Sequence, residues 1–235
     1  MTQTLEGHTV RRYDGELNQL HLLILEMGGL VEEQLREAIK ALKEADLDLA
    51  RKVIRRDETL DQLEIKVDHE VMKISARRCP VGGDLRMVLV VSKCVTELEQ
   101  AGDQIEKIAA LTLRIYDNSE KKPSVPLLHP IGLISQYALN LLHLALTGLD
   151  ALDSPQAREI IRQHARMAVE YESGLRGLVT FVMEDHRNIG HMLDLALVGK
   201  AFERVGDHAK SLAEHIIFLV EGEDVRHQPV GEEGD

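Results

Sequence analysis

The stretch Leu98–Asp103, with the sequence LEQAGD, returns 104 residues later at Phe202–Asp207 as FERVGD. A second matching pair, Ala50–Arg55 (ARKVIR) and Ala157–Arg162 (AREIIR), is displaced by 107 residues. Two matches in the same order indicate an internal duplication. The smaller offset of the later match implies that one turn is shorter in the second copy.

Each copy of the LEQAGD-type stretch begins a run of apolar residues at alternating steps of three and four. The first run contains Leu98, Ala101, Ile105, Ile108, Thr112 and Ile115, and the second contains Phe202, Val205, Ala209, Leu212, Ile216 and Leu219. This spacing places the side chains on one face of an α-helix, where antiparallel helices pack. We predict that both runs form core-facing seams of long helices.

Six long segments rich in Leu, Ala, Glu, Lys and Arg make up most of the chain, and none shows the alternation of a strand. Their predicted limits are 16–45, 47–78, 84–117, 131–150, 154–183 and 189–221. The three prolines between 123 and 130 predict a stiff connection, and Ser154 before Pro155 predicts a helix N-cap. We therefore predict an all-α fold of two tandem three-helix bundles. The first repeat is residues 13–122, the second is 123–227, and 228–235 form a flexible tail.

The segment 123–149 contains no Asp, Glu, Lys or Arg, which is also typical of a membrane-spanning helix. However, Gln136, Asn140, His143 and Thr147 recur at helical steps and form a single polar stripe. Because a lipid-embedded helix would have to desolvate that stripe, we predict an amphipathic helix within a soluble bundle.

The composition of the 235-residue chain excludes several classes of protein. With 28 Lys and Arg against 40 Asp and Glu, the formal net charge is −12, and aromatic residues are 3% of the chain. We predict no nucleic-acid partner, because such binding depends on cationic contacts and often on aromatic stacking. Two cysteines make neither a disulfide framework nor a zinc quartet, and the N-terminus is polar. We therefore expect a cytoplasmic protein.

One residue beyond each apolar seam lies an acidic pair, which is Glu99 with Asp103 in the first copy and Glu203 with Asp207 in the second. Like charges at i,i+4 destabilise a helix by a few tenths of a kcal/mol unless something neutralises them. A mid-helix glycine, which costs roughly 0.5–1 kcal/mol relative to alanine, precedes each Asp. These repeated costs indicate close backbone packing or room for a ligand, whereas one isolated pair would indicate only a solvated helix face.

A third acidic stripe, formed by Asp57, Asp61, Glu64 and Asp68, lies on the second predicted helix. If it faces Glu99 and Asp103 across antiparallel helices, carboxylates converge as in di-iron bundles. Oxygen ligands favour Mg²⁺, Mn²⁺, Ca²⁺ or iron. The predicted metal ligands of this first site are Asp57, Asp61, Glu99 and Asp103, and the alternative is a solvated stripe.

The second copy departs from this acidic pattern. At the positions related by the offset of 107, His164 corresponds to Asp57 and Ala168 corresponds to Asp61. A second metal site at Glu203 and Asp207 would therefore need other ligands, such as His164 or His208. Candidate ions for both sites are iron, manganese, magnesium and zinc, with no choice among them.

The sequence also lacks the usual signs of catalysis. It contains no Gly-rich phosphate loop, no Glu-x-x-His pair of a di-iron oxidase, and no nucleophile beside an obvious base. We predict that the protein is not an enzyme. The alternative hypothesis is a metal-dependent, carboxylate-bridged helical-bundle enzyme.

The motifs of the two copies resemble those of the PhoU family. Residues 80–86 (PVGGDLR) and 98–103 are similar to its Pro-x-Ala-x-Asp-Leu-Arg and Leu-Glu-Arg-Ile-Gly-Asp patterns, although Gly82 replaces the usual Ala. Residues 183–187 (MEDHR) and 202–209 (FERVGDHA) resemble the second repeat of the family, and 218–227 (FLVEGEDVRH) resemble its end. The resemblance runs in order from about Tyr13 to His227.

This resemblance implies a negative regulator of phosphate uptake and of phosphate-starvation signalling. It implies action by contact with the ATPase of the phosphate ABC transporter and with a phosphate-sensing histidine kinase. It also implies metal clusters at Glu99 with Asp103 and at Glu203 with Asp207, the second weakened by His164 and Ala168. We further expect a homodimer that is peripheral to the membrane through its partners.

Overall fold

A computed structural model describes residues 11–117, 123, 125–184 and 189–226 of the chain. Within these ranges the chain forms six α-helices and no strand, which confirms the all-α prediction. The helices are α1 (Arg11–Glu44), α2 (Leu47–Arg78), α3 (Gly82–Asp117), α4 (Val125–Ala151), α5 (Ser154–Glu184) and α6 (Ile189–Glu221).

The first three helices pack on one another, and so do the last three. Across the two halves, α3 packs on α6 and α1 packs on α4, so that α2 and α5 lie on the outside. Arg114, near the end of α3, pairs with Asp194, near the start of α6, because these two helices are antiparallel. Every residue of the two predicted seams is buried. The seams therefore form the shared core, as the apolar spacing predicted.

The first turn of each half shows the duplication directly. Ala45 and Leu152, which are 107 positions apart, both have a positive φ, of 56° and 52°. The next residue in each turn is the N-cap of the following helix. Asp46 accepts a hydrogen bond from Leu49 N and Asp153 accepts one from Gln156 N, both at 2.9 Å. A left-handed residue at the equivalent position, followed by an Asp that caps the helix, therefore precedes both α2 and α5.

Three local predictions are corrected by the structure. The first helix begins at Arg11 rather than at 16. Helix α4 begins at Val125 rather than at 131, so that two of the prolines of the predicted stiff connection lie inside it. Pro126 is tolerated in the first turn, where its missing N–H has no intrahelical acceptor, whereas Pro130 lies inside the helix and leaves the Pro126 carbonyl without its usual backbone donor. The extended helix buries Leu127. The cap of α5 is Asp153, because Ser154 Oγ donates to Glu221 Oε1 at 2.5 Å instead.

Helix α4 is the one helix in the described ranges that is long and apolar enough to cross a membrane, at Pro126–Ala151. Half of its most apolar stretch of 18 residues is buried inside the bundle. The core helix of a soluble protein can have the same length and apolar composition. Its polar stripe, consisting of Gln136, Asn140, His143 and Thr147, is exposed. The arrangement is that of an amphipathic bundle helix.

The predicted repeat limits stay predictions. Residues 118–122, next to the predicted boundary at 122, and residues 227–235, which include the predicted tail, lie outside the described part of the chain.

Candidate metal centre

Two glycines allow the outer helix of each half to approach α3 or α6 closely. A methyl group at Gly102 would clash with Leu60 of α2, and one at Gly206 would clash with Met167 of α5. Leu60 and Met167 are related by the offset of 107, and the glycines by the offset of 104. Of the two explanations that the sequence left open for these glycines, close packing is the one observed.

The close approach at Gly102 brings the acidic stripe of α2 against that of α3. Asp57 Oδ1 lies 3.5 Å from the position that a Gly102 Cβ would occupy, one residue before Asp103. Side chains from both helices interact electrostatically across this contact. We call these side chains the acidic cluster, which consists of Asp57, Asp61, Glu64, Glu99, Asp103 and Glu106.

Burial and mutual repulsion favour protonation of several of these carboxyl groups. Burial, followed by the charge of Asp103 and then by those of the α2 carboxylates, raises the pKa of Glu99 to about 7. Burial, followed by the charge of Glu106, raises the pKa of Asp57 to about 6. Burial, followed by the charges of neighbouring carboxylates, also raises the pKa of Glu64. No member of the acidic cluster forms an ion pair with another described residue. The cluster is therefore an uncompensated concentration of negative charge.

The donor set of the acidic cluster fits a hard divalent cation, because all of its ligand atoms are carboxylate oxygens. A cation would relieve the mutual repulsion that, after burial, raises the pKa values of Glu99 and Asp57. However, in the described part of the chain no three His, Cys, Asp or Glu side chains already lie close enough to hold a metal ion. Binding would therefore require these side chains to rotate towards a common point.

The acidic pair of the second half is neutralised by the protein itself. His164 Nε2 lies 2.8 Å from Asp207 Oδ1, and Arg204 lies 3.3 Å from the other oxygen of the same carboxylate. Lys200 pairs with Glu203 and lies over the ring of Tyr171, 5.6 Å from its centroid. In the second half, cationic side chains therefore lie beside both acidic residues, whereas the acidic cluster of the first half has none among the described residues.

These contacts change the pKa of Asp207 in the direction opposite to that of the acidic cluster. Burial by itself would raise the pKa of Asp207, but the hydrogen bond from His164 and the positive charges around it lower the pKa below its usual value. Glu203 and Asp207 thus remain near Gly206, as the duplication predicted. Lys200 holds one oxygen of Glu203, and His164 and Arg204 hold both oxygens of Asp207, so a metal ion here would have to displace these side chains.

Lys200 and Arg204 are not among the residues that the sequence predicted for this site. Each precedes an acidic residue by three positions, a spacing that favours helical ion pairs and was visible in the sequence. His208, considered as a further ligand, points elsewhere, since its Nδ1 lies 2.8 Å from Glu97 Oε2 of α3. It contributes to the contact between the two halves rather than to a metal site.

Comparison with known proteins agrees with the duplicated architecture. The model of the PhoU domain family matches residues 24–112 and again residues 131–216. The phosphate-specific transport system accessory protein PhoU of Edwardsiella tarda is 35% identical over 223 residues, which are 95% of this chain and 90% of that protein. Its counterpart in Escherichia coli K12 is 34% identical, covering 95% of this chain and 91% of that one.

Solved structures have the same fold. PhoU from Pseudomonas aeruginosa superposes with a TM-score of 0.85 and 34% identity, covering 90% of this chain and all of that one. The phosphate transport system regulatory protein PhoU from Streptococcus pneumoniae has a TM-score of 0.81 at 22% identity and covers 91% and 99% of the two chains. The second similarity supports the fold alone. Two matches to the domain model and identity along nearly the whole length show that this chain belongs to the PhoU family.

Proposed function

We propose that this protein is an accessory regulator of phosphate transport that restrains phosphate uptake and represses phosphate-starvation genes when phosphate is plentiful. The observation that carries the proposal is the similarity to phosphate-specific transport system accessory proteins along 95% of the chain. We further propose that it acts from the cytoplasm, as a homodimer, by contact with the transporter ATPase and a phosphate-sensing histidine kinase. Regulation by contact requires no catalytic group in the bundle.

The proposed function includes metal binding in the first half only. The residues that would hold the ion are Glu99 and Asp103 of α3 with Asp57 and Asp61 of α2. A bound cation would supply positive charge between two helices whose carboxylates repel each other, and would thereby hold α2 against α3. In the second half, Lys200 and Arg204 supply positive charge and His164 is hydrogen-bonded to Asp207, which supports one metal site rather than two.

Deletion of the gene in its own organism tests the regulatory proposal. Expression of phosphate-starvation genes should rise in phosphate-rich medium and return to normal when the wild-type gene is restored. Normal repression in the deletion strain would contradict the proposal. Turnover of a substrate by purified, metal-loaded protein, lost on Asp103→Asn, would instead favour the carboxylate-bridged enzyme.

A further inference from the structure

We propose that one face of the α2–α3 hairpin is a docking surface for a basic amphipathic helix of a partner protein. The end of this hairpin exposes four large apolar side chains, which we call the apolar tip. Their exposed fractions range from 41% for Leu85 to 76% for Val81, with Leu89 and Met72 between them. Single exposed apolar residues are ordinary, but a group of four at one hairpin end is typical of an interaction surface.

The apolar tip is continuous with the acidic cluster along both helices. On α3, Leu85, Leu89, Ser92, Thr96, Glu99 and Asp103 follow one another at alternating steps of four and three, which places them on one helix face. On α2, Asp57, Asp61, Glu64 and Asp68 lead to Met72 at similar steps. The axial distance from Leu85 to Asp103 is about 27 Å, at about 1.5 Å per residue. A partner helix of about 18 residues would span the whole face.

Charge determines which kind of partner fits. In the metal-free protein the acidic cluster has no cationic side chain of its own among the described residues, so Lys or Arg of a partner would find unpaired carboxylates. A second copy of the chain would bring another acidic cluster to the same face, and like charges repel. Anionic lipid headgroups would be repelled in the same way. The surface therefore fits a helix with apolar residues at one end and basic residues at the other.

The second half provides a natural contrast. Ile189 and Leu193 occupy the positions equivalent to Leu85 and Leu89 and are also exposed. Further along the same helix, Lys200 and Arg204 neutralise the acidic pair at the place where the first half has Thr96 and Gln100. The α5–α6 hairpin thus has exposed apolar residues without the neighbouring negative charge. It is a matched control for the docking surface.

A labelled 20-residue helical peptide is the probe that tests this proposal. One face of the peptide carries Leu in its first half and Arg in its second, and a companion peptide carries Glu in place of Arg. Binding is measured by fluorescence anisotropy with EDTA present, which keeps metal ions off the carboxylates. The Arg peptide should bind at least about tenfold more tightly than the Glu peptide, and its affinity should fall as salt is raised.

Variants in both halves then locate the peptide. Leu85→Ser with Leu89→Ser should weaken binding of the Arg peptide by about tenfold or more, since apolar contact area is lost. Ile189→Ser with Leu193→Ser should change it by less than about twofold. Thermal unfolding of both variants checks that the bundle is intact, which is expected because all four residues are exposed.

Several outcomes would overturn the proposal. The first is that the α3 variant and the α6 variant weaken binding of the Arg peptide equally. The others are that the Arg and Glu peptides bind equally tightly, or that the Arg peptide does not bind measurably. Self-association of the chain that is lost on changing Leu85 and Leu89 would show that a second copy occupies this face. Binding to phosphatidylglycerol vesicles that is lost in the same variant would assign the face to lipid.

Discussion

His164 Nε2 lies 2.8 Å from Asp207 Oδ1 in the second half, at the position where Asp57 of the first half approaches Asp103. The duplication has therefore kept the place of the interaction while changing its chemistry. A histidine and a carboxylate attract when the ring is protonated and share a hydrogen bond when it is neutral. Two carboxylates repel each other unless a proton or a cation lies between them.

We expect one metal-binding site per chain, in the first half. Glu99→Gln with Asp103→Asn should abolish binding of Mn²⁺ or Fe²⁺, measured by elemental analysis and calorimetry. Glu203→Gln with Asp207→Asn should leave it unchanged, because the protein's own cations already occupy those oxygens. In the wild type, an ion at a hundred times its dissociation constant should raise the free energy of unfolding by about 2.7 kcal/mol. Loss of binding in the second variant would contradict the assignment.

A second metal site should appear when the second half is given the residues of the first. The changes are His164→Asp, Ala168→Asp, Lys200→Thr and Arg204→Gln, which match Asp57, Asp61, Thr96 and Gln100. The metal-free variant should unfold at a lower temperature than the wild type, since its carboxylates lose their cations. Added Mn²⁺ should restore stability and raise the measured stoichiometry from one to two. An unchanged stoichiometry would show that cations alone do not account for the difference between the halves.

The stability of the metal-free protein should depend on the ionisation of Glu99. Its pKa is about 7 in the folded protein against 4.5 for the unperturbed group, so the folded state binds more protons between these values. By linkage, this residue lowers the free energy of unfolding as the pH rises from about 4.5 to 7. Glu99→Gln should flatten that part of the pH profile, measured by urea unfolding in EDTA. Glu203→Gln, its counterpart in the second half, should retain the wild-type slope, and equal flattening by both would contradict the prediction.

The two packing glycines should differ in their tolerance of alanine. Gly102→Ala places a methyl group against Leu60, a branched and buried side chain, and should lower the free energy of unfolding by about 1–3 kcal/mol. Gly206→Ala should lower it less, because the unbranched thioether of Met167 can move aside more easily. Both values are measured by urea unfolding. Combining Gly102→Ala with Leu60→Ala should cost less than the sum of the single changes, since the clash is removed. Simple additivity would exclude the contact as the cause.

Much of the fold could be predicted from local patterns in the sequence. The apolar steps of three and four predicted the buried seams of α3 and α6, and the two offsets predicted which residues of the halves correspond. Local rules were less reliable where two of them competed. Both Asp153 and Ser154 can cap a helix, and only the contact of Ser154 with Glu221 on α6 shows which one does. The prolines likewise gave the wrong start for α4, since the helix begins at Val125 and Leu127 is buried.

The sequence by itself determined the six helices, the duplication and the position of each acidic pair, because these depend on residues a few positions apart. The tertiary structure decided whether each pair is compensated. Asp57 meets the α3 carboxylates only because Gly102 lets α2 approach, and Asp207 meets His164 only because Gly206 does the same for α5. Whether a carboxylate lies beside another carboxylate or beside a cation depends on distances across helices. For that physical reason, two stretches that share the same Glu, Gly and Asp have opposite electrostatic environments.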